Sequence, residues 1–369
     1  MSFWILASLT GLLGFGTLAP LWRRKSWWVR VWEFPRLQYA VMACAILAAS
    51  FLLLDISEPE GGIIAGTAGA VLVYQAFWII PFSPFWPKQV KRATEWDDAN
   101  GLCILTSNVL TPNRNAEALL RLVAETDPDV VLTLESDDWW EQQLAPLERD
   151  YPHTRKCPRS NLYGMHLYSR LPLEDAAIRY LVEKDVPSMH GRLILRSGRA
   201  IRFHFLHPAP PSPTENATSL ERDGELMCVG LEIAQTSEPV VVCGDLNDVA
   251  WSRTTRRFQR VSRLLDPRRG RGMYNSFHAR YFCLRWPLDH FFHSDHFRLR
   301  KIRRLPAMGS DHFPVLLHLQ LQPDKAHAQE TPEPDSEEKE QARETAQRAQ
   351  AWATTRPYRR GGKALAAGA

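Results

Sequence analysis

The sequence predicts an α/β chain, a layered sandwich of strands and interleaved helices preceded by three membrane-spanning helices. Three observations carry that expectation. Residues 1 to 82 hold three apolar stretches without a single internal charge. Between residues 101 and 321, short apolar runs alternate with turn signals and with segments of helical period. Beyond 321 the chain turns charge-dense and poor in aliphatic side chains. The chain therefore divides into a membrane region with its connector (1–92), a globular domain (93–321) and a charged tail (322–369) expected to be disordered.

The apolar stretches are "FWILASLTGLLGFGTLAPLW" (3–22), "LQYAVMACAILAASFLLL" (37–54) and "GIIAGTAGAVLVYQAFWIIPF" (62–82). Each is close to the roughly 20 residues a helix needs to cross a bilayer. Trp27, Trp28, Trp32, Trp78 and Trp86 lie beside the stretches or at their ends, where they suit an aromatic belt at headgroup level. The first loop carries Arg23, Arg24, Lys25, Arg30 and Arg36, whereas the loop after the second stretch has Asp55, Glu58 and Glu60 and no base. The expectation is an integral membrane protein. The positive-inside rule places the globular domain in the cytoplasm, with an outward-facing domain as the alternative.

In the globular region the expected strands are "LCILTSNVL", "DVVLTLE", "GMHLYSR", "GRLILRS", "AIRFHFLHP", "PVVVCGDLND", "LDHFFHS" and "FPVLLHLQL". Helical spacing appears in "NRNAEALLRLVAET" and "TSLERDGELMCVGLEIAQT". The six cysteines show no CxxC spacing, which indicates neither a zinc site nor a disulfide framework. Charge is uneven: residues 251–320 hold 15 Lys plus Arg against 4 Asp plus Glu, although the whole chain carries only +4. The clusters "RTTRRFQRVSR" and "RRGRG" read either as solvated faces or as surfaces for phosphates or anionic headgroups.

Chemistry is signalled by polar residues at the ends of apolar strands. Asn108, Glu135, Asp245 and Asn247 all occupy such ends. Carboxylates and amides collected there make a hard-oxygen set that suits Mg²⁺, or Mn²⁺, rather than zinc. Two histidines add proton chemistry: His207 closes one strand, and His312 follows Asp311 in "GSDHFPV". Asp289, at another strand end, is placed to hold an imidazole. His290, His293 and His296 read as structural or surface residues, and His166, Ser169 and Arg170 as packing. His190 and Arg192 are open to packing or to an approach to phosphate.

The ordered series of Asn, Glu, His, "GDLND", "LDH" and "SDH" resembles the endonuclease/exonuclease/phosphatase superfamily, and the likeness spans the whole globular region. With its three-span leader, the chain is similar to bacterial membrane-anchored members, which implies a bacterial inner membrane with the catalytic domain on the cytoplasmic side by loop charge. The resemblance implies a four-layered α/β sandwich of two facing mixed sheets flanked by helices, and Mg²⁺-dependent hydrolysis of a phosphoester by in-line water attack. It further implies Glu135 as principal metal ligand, helped by Asn108 and Asp311, with Asp245 handling the water and Asn247 the phosphate. His312, partnered by Asp289, would be general base or phosphate-stabilising imidazole, and His207 the general acid. Short segments between motifs weigh against duplex DNA, and membrane tethering favours a lipid-borne phosphate. The alternatives are a nuclease and a non-catalytic phospho-ligand sensor; no ligand or base has been lost, as the latter would require.

Overall fold

The computed structural model describes residues 1–326 and 328–355. It separates into two units, residues 1–87 with 211–219 and 269–273 forming the first, and the remainder the second.

The first unit is helical: α1 (Ser2–Leu18), the single turn α2 (Trp27–Arg30), α3 (Arg36–Leu53) and α4 (Pro59–Ile79). Three stretches, Ser2–Trp22, Arg36–Leu53 and Pro59–Phe82, are long and apolar enough to cross a membrane. They coincide with the expected spans to within a few residues. Leu13, Ala43, Ile46 and Ala68 pack together, while Trp4, Phe51, Leu52 and Phe77 face outward. Helices apolar on every side suit lipid rather than water. A polar relay ties the bundle internally: Arg36 Nη1 donates to Gln75 Oε1 and Gln75 Nε2 to Thr17 Oγ1, both at 3.0 Å. Two segments from far along the sequence complete the unit. Trp27 N donates to Ala217 O (3.1 Å) and Gly270 N to Pro81 O (2.9 Å), an assembly that no contiguous reading anticipates.

The second unit is the predicted sandwich. Its strands are β1 (Gly101–Asn108), β2 (Val130–Leu134), β3 (His153–Cys157), β4 (Met165–Ser169), β5 (Leu173–Arg179), β6 (Ser188–Ile194), β7 (Ala200–Phe205), β8 (Val240–Asp245), β9 (Asp289–His293), β10 (Phe297–Arg304) and β11 (Val315–Leu321). One sheet has the order β10-β11-β1-β2-β4-β3, the other β5-β6-β7-β8-β9. The helices are α5 (Ala116–Thr126), α6 (Asp138–Leu144), α7 (Leu220–Ile233), α8 (Arg253–Ser262) and α9 (Ser336–Thr355).

Side-chain alternation builds the layers. Leu102 and Ile104 of β1 enter the core between the sheets, whereas Cys103 and Leu105 join Leu119 of α5 and Trp140 of α6. In β8, Val241 and Cys243 face that central core while Val240 and Val242 meet α7 and α8. Strands covered on both faces read as unbroken apolar runs, which is why the central ones stand out in the sequence. The strands that escaped sequence reading, β3, β5 and β10, are all sheet edges with exposed polar positions.

The tail is corrected for its described part. Ser336–Thr355 forms α9 rather than disordered chain, and Ala342, Ala346 and Ala349 are buried against α7 and α8. Packing is close: a Cβ at Gly224 of α7 would lie 2.0 Å from Ala349 Cβ. An ion pair and a hydrogen bond explain how so polar a segment folds, with Arg260 Nε of α8 at 2.8 Å from Glu338 Oε1 and Trp352 Nε1 donating to Glu221 Oε1 (3.0 Å). The small alanine stripe alone buries too little to announce a helix. Residues 356–369 of the expected tail lie outside the described residues.

Candidate active site

Chain direction gathers the functional residues on one rim. Parallel pairs β1–β2 and β7–β8 end there, while β9 and β11, antiparallel to β8 and β1, begin there. Asn108 and Asp245 are final strand residues, Glu135 and His207 follow the ends of β2 and β7, Asp289 opens β9, and Asp311 and His312 precede β11. Asp245 and Asp289 are register partners.

At the centre lies the Asp245 carboxylate. Its Oδ2 is 3.2 Å from Asn108 Nδ2, 3.4 Å from His312 Nε2 and 3.9 Å from His207 Nε2, and its Oδ1 accepts Asn247 N (2.8 Å). Asp289 Oδ2 accepts His312 Nδ1 at 2.8 Å. Burial alone would depress His312, but Asp245 and Asp289 override it and raise the imidazole from 6.5 to about 10. Burial pushes Asp245 up to about 6, against the pull of the neighbouring imidazolium. Burial, reinforced by the His312 charge and only weakly opposed by Asp289, lowers His207 to about 3; it is a neutral ring at pH 7. Its Nδ1 has no partner among the described residues.

Glu135 forms a second focus. Its Oε1 accepts Asn108 Nδ2 at 2.7 Å, and its buried Oε2 has no partner among the described residues. Burial, reinforced by Asp311 and Asp245, drives its carboxyl up to about 8. Glu135 and Asn247 both hold left-handed backbone, φ 58° and 51°, strain of roughly 1 to 3 kcal/mol per residue that recurs at functional sites. Thr111 Oγ1 holds Glu135 in place by donating to its carbonyl (2.6 Å). Gly244 is required at the end of β8, with φ 145° and only 1.9 Å between a built Cβ and Leu206 O.

Two groupings have cation-binding chemistry. Ligand-type atoms of Asp245, Asp289 and His312 lie within 4.8 Å of one another. However, both His312 nitrogens are already engaged by carboxylates, which describes a clamp. The orphaned Oε2 of Glu135, with Asn108 beside it and Asp311 nearby, offers unsatisfied hard oxygen and fits Mg²⁺ or Mn²⁺ better.

All eight residues singled out by sequence converge here, and several that sequence reasoning missed brace them. Buried Arg222 donates from Nη1 to Asn247 O (2.7 Å) and pairs through Nη2 with Asp248 Oδ2 (3.1 Å). Buried Arg268 bonds Asp289 O (3.2 Å) and His290 Nδ1 (2.8 Å), while His290 Nε2 bonds Asp248 O (2.8 Å). Ser310 Oγ donates to Asn108 O (2.8 Å) and accepts His312 N (3.0 Å). His290 is thus part of the scaffold. His190 does not approach the site: its Nδ1 meets His204 Nδ1 at 2.7 Å, and Arg192 pairs with Asp175 and Glu238 on the same sheet's surface. A buried Arg far away in sequence leaves no local signature.

The endonuclease/exonuclease/phosphatase family model matches residues 105–312. Among solved structures, a D. rerio TDP2 humanized by 14 mutations is 15% identical with a TM-score of 0.50, covering 60% of this chain and 99% of that one. The human nocturnin catalytic domain with bound sulfate is 16% identical with a TM-score of 0.48, covering 60% and 94%. A mannosyl-6-phosphatase from Bacteroides thetaiotaomicron is 17% identical with a TM-score of 0.46, covering 59% and 99%. No curated protein sequence matches.

Proposed function

Because the chain belongs to the endonuclease/exonuclease/phosphatase family, whose members hydrolyse phosphoesters, we propose that it is a membrane-anchored, divalent-cation-dependent phosphohydrolase acting on a phosphomono- or phosphodiester. The observation that carries this reading is the His312 clamp, a buried imidazole held between Asp289 at 2.8 Å and Asp245 at 3.4 Å beside the Glu135 oxygen cradle.

Glu135, Asn108 and Asp311 would hold the cation. When bound, a divalent cation supplies positive charge for the phosphoryl oxygens. The chain's own groups do the rest. Asp245, ionised above about pH 6, takes the proton of the water that attacks phosphorus opposite the leaving oxygen. His312, protonated up to about pH 10, stabilises the phosphoryl oxygens as an imidazolium rather than serving as a base. Asn247 spends one Nδ2 proton on Pro208 O (3.1 Å) and keeps the other for phosphate. His207 enters as a neutral ring, so we assign it a hydrogen bond to the leaving oxygen instead of the general-acid role.

The nuclease reading is weakened because basic α8 is engaged by α9, through Arg260 to Glu338 and Arg257 to Gln341. In localisation, the three candidate spans support anchoring, and the loop charges favour a cytoplasmic domain. The test is hydrolysis of bis-p-nitrophenyl phosphate and p-nitrophenyl phosphate by the full chain in detergent. We expect cleavage with Mg²⁺ that EDTA abolishes and that Glu135→Ala with His312→Ala eliminates; activity indifferent to either would overturn the mechanism.

A further inference from the structure

From Phe277 to Trp286 the chain leaves the wall of the site as a small loop closed at its base. Phe277 N donates to Trp286 O and His278 N to Leu284 O, both at 3.0 Å, and the Phe277 and Trp286 rings stack. The base is continuous with the catalytic rim. The Phe277 ring centroid is 4.9 Å from that of His312, and Ala279 N donates to Asp311 O (2.7 Å). The tip is apolar and open to solvent, with Tyr281 58%, Phe282 79% and Leu284 47% exposed.

Arginines bracket that tip. Arg280 Nη2 donates to Gly309 O (3.3 Å), and Arg285 donates to the carbonyls of His278 and Ala279 while lying over the Phe282 and Phe313 rings. Arg304 also lies over Phe313 and donates to Asn275 O (2.9 Å). Carbonyls and rings orient these guanidiniums without neutralising them, and among the described residues none of the three pairs with a carboxylate. Exposed aromatic and aliphatic side chains framed by uncompensated cations are the chemistry of a bilayer interface, where apolar groups sink below the headgroups and cations meet lipid phosphates.

We propose that residues 280–285 form an interfacial docking element that enters the headgroup region of an anionic bilayer and delivers a lipid-borne phosphoester to His312. The proposal rests on the phosphohydrolase reading and names its substrate class as an anionic amphiphile. Single-stranded nucleic acid would also stack on rings beside arginines. It gains nothing from the exposed aliphatic Leu284. Three helices long and apolar enough to cross a membrane also hold the domain close to lipid.

The experiment is hydrogen–deuterium exchange of the full chain in nanodiscs of phosphatidylcholine alone and of phosphatidylcholine mixed with phosphatidylglycerol. Amides of residues 279–284 are expected to exchange at least about threefold more slowly in the anionic discs, and Phe282→Asp with Leu284→Asp is expected to erase the difference. The wild-type comparison stands even if the variant folds poorly. Equal exchange in the two discs overturns the proposal, as does slowing produced by single-stranded oligonucleotide and not by phosphatidylglycerol. Hydrolysis of bis-p-nitrophenyl phosphate in the same discs separates the two readings. Protection without hydrolysis keeps the docking element and sinks the hydrolase, and hydrolysis without protection does the reverse.

Discussion

Replacing Asp289 by Asn removes one charge from the candidate active site while keeping its shape. The amide oxygen can still accept His312 Nδ1, now 2.8 Å from Asp289 Oδ2, so ring orientation should survive. The rise of His312 from 6.5 to about 10 corresponds to roughly 5 kcal/mol favouring the imidazolium, supplied by Asp245 and Asp289 against the cost of burial. A carboxylate in direct contact typically accounts for about 1 to 3 pH units of such a rise. The imidazole of Asp289→Asn should therefore titrate at roughly 7 to 9. The assay is kcat/KM for bis-p-nitrophenyl phosphate against pH at fixed Mg²⁺. With Mg²⁺ saturating, so that Glu135 is held ionised, wild type should rise through about 6 as Asp245 ionises and fall near 10 as His312 loses its proton. In the variant the alkaline limb should move down, and the acid limb, set mainly by the burial of Asp245 and only in part by Asp289, should follow by less. An unmoved alkaline limb, or a loss uniform across pH, would refute the argument that the charge of Asp289 keeps His312 protonated.

Other perturbations separate chemistry from scaffold. Glu135→Gln should lower Mg²⁺-dependent kcat by about a hundredfold or more, without loss of thermal stability, because it removes the anionic cradle but keeps the volume; a cation response like wild type's would contradict it. His290→Ala should do the opposite, removing one of the acceptors of buried Arg268 (2.8 Å) and opening a cavity, at a cost of roughly 1 to 3 kcal/mol of stability while activity per folded molecule stays near wild type. His312→Ala should be severe in activity and mild in stability, and equal losses for the two would mean the wrong histidine was assigned. Glu225 is buried on α7 with Oε1 unpartnered among the described residues, and burial raises it from 4.5 to about 8. Its contribution is intact below about pH 4.5 and is lost as pH climbs to 8, because only the unfolded chain ionises over that range. Glu225→Gln should therefore raise the melting temperature at pH 8 more than at pH 5, within a ceiling of roughly 5 kcal/mol. Gly224→Leu should push α9 off α7 and open the chain before Ser336 to limited proteolysis, given the 2.0 Å approach of Ala349.

Much of this was legible before any fold was drawn. The three spans announce themselves because lipid demands uncharged runs of fixed length. The central strands do so because burial on both faces removes polar residues, which makes Asn108, Glu135, Asp245 and Asp289 conspicuous at their ends. Edge strands β3, β5 and β10 carry no such constraint on their open sides and were silent. Helix α9 was silent for a related reason, since its stability comes from Glu338 meeting Arg260 and alanines meeting α7, partners 78 or more positions away.

Sequence alone determined which residue types were available for chemistry and on which strand ends they stood, because period and burial are local signals. Tertiary structure decided their pairing. "LDH" and "SDH" offer two like Asp-His pairs, yet only the antiparallel entry of β9 and β11 at one rim sets Asp289 against His312 and sends His290 to Arg268. It also decided protonation. The same imidazole side chain is raised to about 10 at His312 and lowered to about 3 at His207, because charge across 3 or 4 Å and exclusion of water are properties of a folded neighbourhood that no single stretch of chain contains.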